Sequence, residues 1–325
     1  MQFFNYAQSK SIEVLKLYWE LVLVIVPVAV ATQVLVETGI LAAIAPAFEP
    51  VMGWFGLSPE LAFAWITGLT VGIWAAVVVL FTVTSPADIS VADMTVFSSL
   101  LLFAHALPIE QRIIQRVGPG FWVTLALRLF GGMVYAFLLH QTLAAGDFLN
   151  QPISPLWLPD PELSGWTGFV VTTVESLFWM LIVLAALAFA MDGLKWSGLL
   201  DRLNRVIAPL FRPIGIRQET GPLVAVGLLL GITFGSGLLL REARAGHLSP
   251  RQLFLACVYM GFAHSVIEDT AVVMALGADF TGVFVGRLIF AFVATGLIAL
   301  LLHRTPEHWF QRLLFNPSPT PAYDR

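Results

Sequence analysis

The sequence is poor in charge and in cysteine. Charged side chains make up 12% of its 325 residues, about half of the roughly 25% that is usual in soluble domains. The single cysteine, Cys257, excludes an internal disulfide framework. A net charge of −4, with the arginines scattered along the chain, leaves no basic face for nucleic acid. These shortages exclude a disulfide-stapled secreted domain and a nucleic-acid-binding protein.

Long apolar runs take the place of the missing charge. Hydrophobic residues make up 58% of the chain, and residues 61–83 form an uncharged run that exceeds the ~20 residues a helix needs to cross a bilayer. The N-terminal stretch is too polar for the core of a secretory signal and has no small-residue cleavage site. The first span, about 18–36, is therefore expected to stay in the mature protein. The sequence predicts an all-α polytopic membrane protein.

The second half of the chain repeats the first at a constant offset, and the motif Phe-Ala-His marks both copies at 103–105 and 262–264. Without a gap, twenty of the hundred residues from 39 to 138 are identical to their counterparts. Shared hydrophobicity would match leucines by chance, but not glycines, a proline, a histidine and an arginine in order. We infer an internal duplication.

The duplication divides the chain into a first repeat at 1–145, a linker loop at 146–165 and a second repeat at 166–325. Each repeat shows a first span, an amphipathic segment, a glycine-marked segment, the motif segment and a last span. Around 199–210 apolar residues share one helix face and charged residues the other, as in a helix lying in the membrane interface. Apart from the motif segments, the predicted spans are 18–36, 61–83, 120–143, 166–190, 220–240 and 280–302.

The two motif segments, 94–109 and 253–267, are shorter than ordinary spans. We predict that each enters the membrane and returns as a re-entrant hairpin, which leaves three spans per repeat and inverts the second repeat. Twelve Lys and Arg residues then lie on one side, and three, Arg241, Arg244 and Arg251, on the other. By the positive-inside rule, both termini are expected in the cytoplasm, with the protein in the bacterial cytoplasmic (inner) membrane.

Each repeat carries a histidine, a carboxylate and an arginine near its motif, and the separation of histidine and arginine along the chain is the same in both. A charge inside a span costs about 2.5–3.5 kcal/mol on insertion scales, so it should face the protein interior and be paired. Two interpretations stay open: ion pairs Arg128–Glu110 and Arg287–Asp269 that pin the hairpins, or a solute site. The candidates for substrate binding or proton coupling are His105, Glu110, Arg128, His264, Glu268, Asp269 and Arg287.

Glycines four residues apart mark the segment before each motif, as GLTVG at 68–72 and GLLLG at 227–231. Such spacing lets helices approach closely. The run GITFGSG at 231–237 is also compatible with an unwound segment that lines a solute path. The candidate helix-break glycines are Gly68, Gly72, Gly227, Gly231 and Gly235.

At the paired Phe-Ala-His motifs the chain resembles the nucleoside-recognition (Gate) family of membrane proteins. That family includes spore maturation proteins A and B and the membrane part of ferrous-iron transporter B. The resemblance rests on a repeated glycine-marked span, an AH-x(3,4)-E hairpin and a polar-marked span, and covers nearly the whole chain as two fused Gate units. The sequence has no P-loop, and both hairpins lack the cysteine expected of a ferrous-iron pore. The family name says little about the ligand.

Inverted repeats with broken helices that meet near the midplane are an architecture of secondary transporters. We therefore expect a secondary transporter for a small polar or ionic solute, coupled to protons, with no cofactor and no enzymatic activity. One alternative is a divalent-metal transporter with His105, His264, Glu110 and Asp269 as ligands. The others are a non-transporting scaffold and an intramembrane enzyme. The expected partners are the solute, the lipid bilayer and a second copy of the chain, and no nucleic acid.

Overall fold

The computed structural model describes residues 2–155 and 165–315. Residues 156–164 of the predicted linker and residues 316–325, with Arg325, lie outside the described residues. Within the described ranges every regular element is a helix, and β pairing is limited to isolated bridges between Ser90 and Pro152 and between Pro119 and Phe315.

The longer helices are numbered in chain order. They are α1 (Gln2–Glu37), α2 (Leu61–Thr70), α3 (Ile73–Val83), α4 (Val91–Phe103), α5 (Leu107–Val117), α6 (Phe121–Gly146), α7 (Gly165–Trp196), α8 (Leu199–Ile207), α9 (Gly221–Ala245), α10 (Pro250–Phe262), α11 (Glu268–Ala275) and α12 (Arg287–Arg304). Short α, 3₁₀ and π segments connect them at Ile40–Ile44, Ala45–Phe48, Glu49–Met52, Gly53–Phe55, Pro86–Asp88, Ala208–Ile214, Thr281–Gly286, Glu307–Trp309 and Phe310–Leu314.

Five stretches of the described chain are helical, long and apolar enough to cross a membrane. They are Tyr6–Glu37, Val91–Val117, Phe121–Gly146, Gly165–Leu194 and Thr281–Arg304. The prediction of an all-α polytopic membrane protein is therefore confirmed.

The glycine-marked segments are helical hairpins rather than spans. Helices α2 and α3 pack against each other, and Gly72 between them has a φ of 138° and a ψ of 176°. Helix α9 breaks in the same way at Gly231, where φ is 87° and ψ is 170°. A Cβ on Gly235 would lie 3.7 Å from the Cα of Gly227, whereas residues eight apart in one straight helix are separated by about 12 Å. Arms of this length span about half of the ~30 Å hydrocarbon core.

The first motif segment crosses instead, as two helices joined end to end. At its start, the Val91 N–H donates to the Gln151 carbonyl and the Ala92 N–H to the Leu149 carbonyl, each at 2.9 Å, so α4 begins just beyond the end of α6. At its end, α5 leads through Gly118 directly into the start of α6. Together α4 and α5 therefore cover the length of the 26-residue helix α6.

The second motif segment follows the same course. At the start of α10, Arg251 Nη2 donates to the Thr305 carbonyl at 2.7 Å and to Glu307 Oε2 at 2.9 Å, and Arg251 also bonds the Leu302 carbonyl. All of these partners lie at or just beyond the end of α12. After α11 the chain turns at Gly277 into the Thr281–Gly286 segment that precedes α12.

The predicted roles of the two segments are thus exchanged. In each half of the chain the glycine segment is a helical hairpin and the motif segment is a pair of helices joined end to end, of which Val91–Val117 is long and apolar enough to cross a membrane. The reason lies in the backbone. At Gly72 and Gly231 an extended backbone with positive φ, which only glycine adopts readily, turns the chain back on itself. Each motif break is followed by a second helix, α5 or α11, that carries the chain on toward the start of the next long helix.

The chain divides into two compact units. Unit 1 comprises residues 1–98, 137–200 and 272–279, and unit 2 comprises 99–136, 201–271 and 280–325. Each unit draws on both halves of the sequence, so neither coincides with a predicted repeat. The repeat boundaries stay a prediction of the sequence.

Unit 1 is held by apolar packing between α1, α3 and α7. Ile25 and Ala29 of α1 belong to one buried cluster with Val78 of α3 and Met180 of α7. Lys10 near the start of α1 pairs with Asp192 near the end of α7 at 3.2 Å. These ends of α1 and α7 therefore lie side by side.

Unit 2 has an aromatic core around the first motif. The Phe103 ring stacks on Tyr135 at a centroid distance of 5.3 Å and contacts Phe262 at 5.9 Å and Phe290 at 5.5 Å. The two motif phenylalanines thus share one core, which positions the histidines that follow them.

The exchange of hairpin and span also redistributes the basic residues. Counting crossings along the chain moves the loops 84–90 and 246–249 to the opposite sides from those first predicted. On this count Arg241, Arg244 and Arg251 are expected on the same side as the other twelve Lys and Arg residues of the prediction.

We predict that cysteine accessibility will follow this corrected order. In a Cys257→Ala background, Ala87→Cys should react with a membrane-impermeant maleimide from the same side as Gln151→Cys. His247→Cys should react only from the side of Gln311→Cys, because the hairpins return the chain to the side they left. Labelling of intact and permeabilised vesicles measures this. If Ala87→Cys reacts from the side of Gln311→Cys, the glycine segments span the membrane after all.

Candidate functional site

Both helix breaks place a residue other than glycine in the left-handed region directly after the motif histidine. Ala106 has a φ of 45° and Ser265 a φ of 47°. This conformation costs about 1–2 kcal/mol for a residue with a Cβ. The interruption also leaves the last carbonyls of α4 and α10 without intrahelical partners. The breaks therefore present carbonyl oxygens to other groups.

Arg128 of α6 donates hydrogen bonds to carbonyls at the first break. Its Nε donates to the Phe103 carbonyl at 3.0 Å and its Nη2 to the His105 carbonyl at 3.5 Å. Its Nη2 also lies 2.7 Å from Glu110 Oε2, the ion pair that the sequence indicated. Arg128 is only 2% exposed, so its charge needs compensation inside the protein. The Glu110 carboxylate and the carbonyls at the negative end of the α4 helix dipole provide it.

Arg287 of α12 donates hydrogen bonds to carbonyls at both breaks. Its Nε donates to the Phe262 carbonyl at 3.0 Å, and its Nη2 donates to the His264 carbonyl at 3.1 Å and to the Leu102 carbonyl at 2.7 Å. Among the described residues, no carboxylate forms an ion pair with Arg287, so the Arg287–Asp269 pair that the sequence indicated is not formed. Three helix-end carbonyls take the place of that carboxylate.

The two motif histidines lie against each other, with ring centroids 5.0 Å apart and planes inclined by 35°. His105 Nδ1 lies 2.9 Å from the Leu101 carbonyl, and His264 Nδ1 lies 2.8 Å from the Met260 carbonyl. A carbonyl can only accept, so in each neutral ring Nδ1 carries the hydrogen and Nε2 keeps its lone pair. Both Nε2 atoms are therefore acceptors.

Each of these Nε2 atoms faces a carboxylate from the other half of the chain. His105 Nε2 is 3.6 Å from Asp269 Oδ2 and 4.0 Å from Glu110 Oε1, and His264 Nε2 is 3.5 Å from Glu110 Oε2. The four residues are between 1% and 9% exposed. Within the described part of the chain, His264 Nε2 and Asp269 Oδ2 have no hydrogen-bond partner. Acceptors that converge in a low-dielectric site repel one another, so this cluster favours a proton or a cation.

The tip of the second hairpin packs on the second break. The Val266 N–H donates to the Leu228 carbonyl at 2.8 Å, and the Ser265 N–H approaches the Gly227 carbonyl at 3.5 Å. A Cβ on Gly231 would lie 3.1 Å from Ser265 Cβ. The hairpin tip therefore contacts the residue that directly follows His264.

The remaining predicted site residues have different positions. Glu268 begins α11, is partly buried, and forms no ion pair with another described residue. Gly72 and Gly231 are the hairpin tips, whereas Gly68 lies within α2. Gly227 and Gly235 face each other across the second hairpin.

Sequence reasoning missed several groups near the site. The Leu102 carbonyl binds Arg287, and Ser265 forms the contact with the hairpin tip. Buried Gln111 accepts a hydrogen bond from Thr124 Oγ1 at 3.2 Å. A polar residue inside an apolar segment is the one signal that could have pointed to Gln111. A main-chain carbonyl leaves no signal in a sequence.

Comparison with known proteins finds similarity in both halves of the chain. A family model described as nucleoside recognition (Gate) matches residues 18–120 and 177–280. The uncharacterized membrane protein YvoD of Bacillus subtilis (strain 168) is 26% identical over 292 residues, which cover 86% of this chain and 90% of that protein. No solved structure matches.

We predict that Glu110→Gln and Arg128→Met will each lower the free energy of unfolding by about 3–5 kcal/mol, because each leaves a buried charge without its partner. The double variant should lose clearly less than the sum of the two. Denaturant unfolding in detergent measures the three changes. Glu219→Gln is the control, since its contact with Arg217 at 3.9 Å is exposed and worth at most ~1 kcal/mol. Additive losses would show that the buried pair is not coupled.

A second prediction concerns the hairpin tip. Gly231→Ala should destabilise the protein by about 1–3 kcal/mol, because Gly231 has positive φ and a Cβ there would lie 3.1 Å from Ser265 Cβ. Gly237→Ala in the same hairpin should be neutral or slightly stabilising, since no atom lies within 4 Å of its Cβ position. Thermal unfolding of the two variants compares them. Equal effects would mean that the tip is not constrained as described.

Proposed function

Because the chain belongs to the nucleoside-recognition (Gate) family of membrane proteins, we propose that it is a secondary transporter for a small polar or ionic solute. The observation that carries this proposal is the buried cluster of His105, Glu110, His264 and Asp269. It forms where two interrupted crossing helices meet, and the tip of a half-membrane hairpin packs on one of the breaks.

The free-energy cost of burying ionisable side chains and interrupted backbone inside a membrane domain supports a transport role. Ionisable side chains inside a membrane domain are expensive and mark pathways for solutes and ions. Interrupted backbone at that depth is tolerated where protein or a water-filled cavity satisfies it. A domain that only anchored a partner would gain stability from apolar residues at these positions. Broken helices and hairpins that meet at midplane sites are typical of secondary transporters.

The distribution of basic residues supports inverted repeats and cytoplasmic termini. With three crossings in each repeat, the second repeat enters the membrane from the side opposite to the first. All fifteen Lys and Arg residues outside the last spans of the two repeats then lie with the termini, as the positive-inside rule favours. We propose that the protein lies in the bacterial cytoplasmic membrane in this orientation. Coupling to protons and assembly into a homodimer stay predictions of the sequence.

Alternating access provides a test that does not depend on knowing the solute. In a Cys257→Ala background, Ser265→Cys should react with a small membrane-impermeant thiol reagent from either side, because a transporter opens its site to both. The rates are measured separately in right-side-out and inside-out vesicles. Ala87→Cys is the matched control and should react from one side alone, since its loop is exposed and does not change sides.

The same experiment separates the other interpretations of the sequence. A scaffold with a closed core would leave Ser265→Cys unreactive from both sides. An intramembrane enzyme with a fixed entrance would allow modification from one side. Either result would contradict the transport proposal, provided that the variant unfolds at the same temperature as its Cys257→Ala parent.

A further inference from the structure

We propose that the solute is a divalent transition-metal cation and that His105, His264 and Asp269 bind it. The role of the cation as cargo rests on the transport function proposed above. The binding site itself rests on the side-chain geometry of unit 2 and is tested separately.

The donor atoms are already close together. One ligand atom from each of His105, His264 and Asp269 lies within 4.8 Å of the other two. Bonds of about 2.0–2.2 Å to a tetrahedral metal place neighbouring ligand atoms roughly 3.4 Å apart. The distance of 3.6 Å between His105 Nε2 and Asp269 Oδ2 fits this spacing. A small movement of His264 would complete the set.

The histidine tautomers are those of metal ligands. In each ring the Nδ1–H is held by the carbonyl four residues earlier, Leu101 for His105 and Met260 for His264. A ligating histidine commonly donates its other ring N–H to a carbonyl or carboxylate, which fixes the ring and directs the free lone pair at the metal. Both rings are therefore oriented for coordination through Nε2 before any cation arrives.

No Lys or Arg among the described residues lies within ion-pair distance of Asp269, although Arg287 interacts with its carboxylate electrostatically and Ser265 forms a side-chain hydrogen bond with it. Glu110 pairs with Arg128 at 2.7 Å, whereas Arg287 is held by three carbonyls instead of a carboxylate. Asp269 Oδ2 is buried without a hydrogen-bond partner among the described residues. A cation bound between this oxygen and the two Nε2 atoms would satisfy all three acceptors.

The donor types select the class of cation. Two imidazoles and one carboxylate suit divalent first-row metals such as Zn²⁺, Mn²⁺ and Co²⁺, whereas Mg²⁺ and Ca²⁺ prefer oxygen ligands alone. Arg128 and Arg287 near the site reduce its affinity for a cation. Moderate affinity suits a transport site, which must release what it binds.

Binding is tested on the full-length protein in detergent, after removal of metal with a chelator. Titration with Co²⁺, followed by equilibrium dialysis and by the visible absorption of the bound ion, should give one ion per chain that Zn²⁺ displaces. His105→Gln, His264→Gln and Asp269→Asn should each weaken binding at least tenfold, since even the loss of an outer-shell partner costs about 10–100-fold. His247→Gln, at an exposed histidine, is the control and should bind like the unmodified protein.

Two results would overturn the site. One is the absence of stoichiometric Co²⁺ or Zn²⁺ binding to the unmodified protein, which is decisive even if a variant fails to fold. The other is unchanged affinity in both His264→Gln and Asp269→Asn, which would place the ion elsewhere. A rise in the unfolding temperature of the unmodified protein with Zn²⁺, and a smaller rise in the variants, would support the site.

Vesicles that contain a metal-sensitive dye test the role as cargo. The reconstituted protein should admit Zn²⁺ or Mn²⁺, and His264→Gln should abolish the signal while His247→Gln keeps it. Stoichiometric binding without uptake would overturn the assignment of the cation as the solute. If Ser265→Cys still reacts from both sides in that case, the transport proposal stands without the metal. Labelling from one side only would show that transport itself fails.

Discussion

Two buried arginines hold the ends of two interrupted helices, and the whole site depends on that interaction. A broken helix inside a membrane leaves carbonyl groups that cost several kcal/mol each when nothing binds them. Arg287 donates to carbonyls of both breaks, those of Leu102 and Phe262 among them. Burial of each guanidinium is costly by itself, so the helix breaks and the arginines stabilise each other. This mutual dependence places the two motif histidines in one cluster.

The two halves of the site match in backbone and differ in charge. Both histidines bond the carbonyl four residues earlier, and both arginines donate through Nε to the motif phenylalanine. Only Arg128 also forms an ion pair with a carboxylate, that of Glu110, whereas Arg287 donates its third hydrogen bond to the Leu102 carbonyl. Asp269 Oδ2 is therefore not held in an ion pair with Arg287 and lies 3.6 Å from His105 Nε2. A symmetric arrangement with two complete ion pairs would leave no such acceptor.

Much of this could be predicted from residue types and their spacing. Apolar runs predicted the membrane helices, and the constant offset between the two Phe-Ala-His motifs predicted two similar sets of polar residues. The pairing of Arg128 with Glu110 followed from the need to compensate a charge in a span. The assignment of hairpin and span was wrong because a glycine that reverses the chain and a glycine that packs against a neighbour have the same sequence pattern. The φ of 138° at Gly72 decides between them, and spacing does not reveal it.

Composition and local pattern by themselves determined the class of protein, the repeated segments and the identity of the polar residues, because these depend on neighbours along the chain. Only the tertiary structure decided which atoms meet. It placed His105 beside Asp269 and His264 beside Glu110, each with a partner from the other half of the sequence. It also gave Arg287 carbonyls in place of the expected carboxylate. Main-chain carbonyls are the same at every position, so a sequence cannot show where a break exposes them.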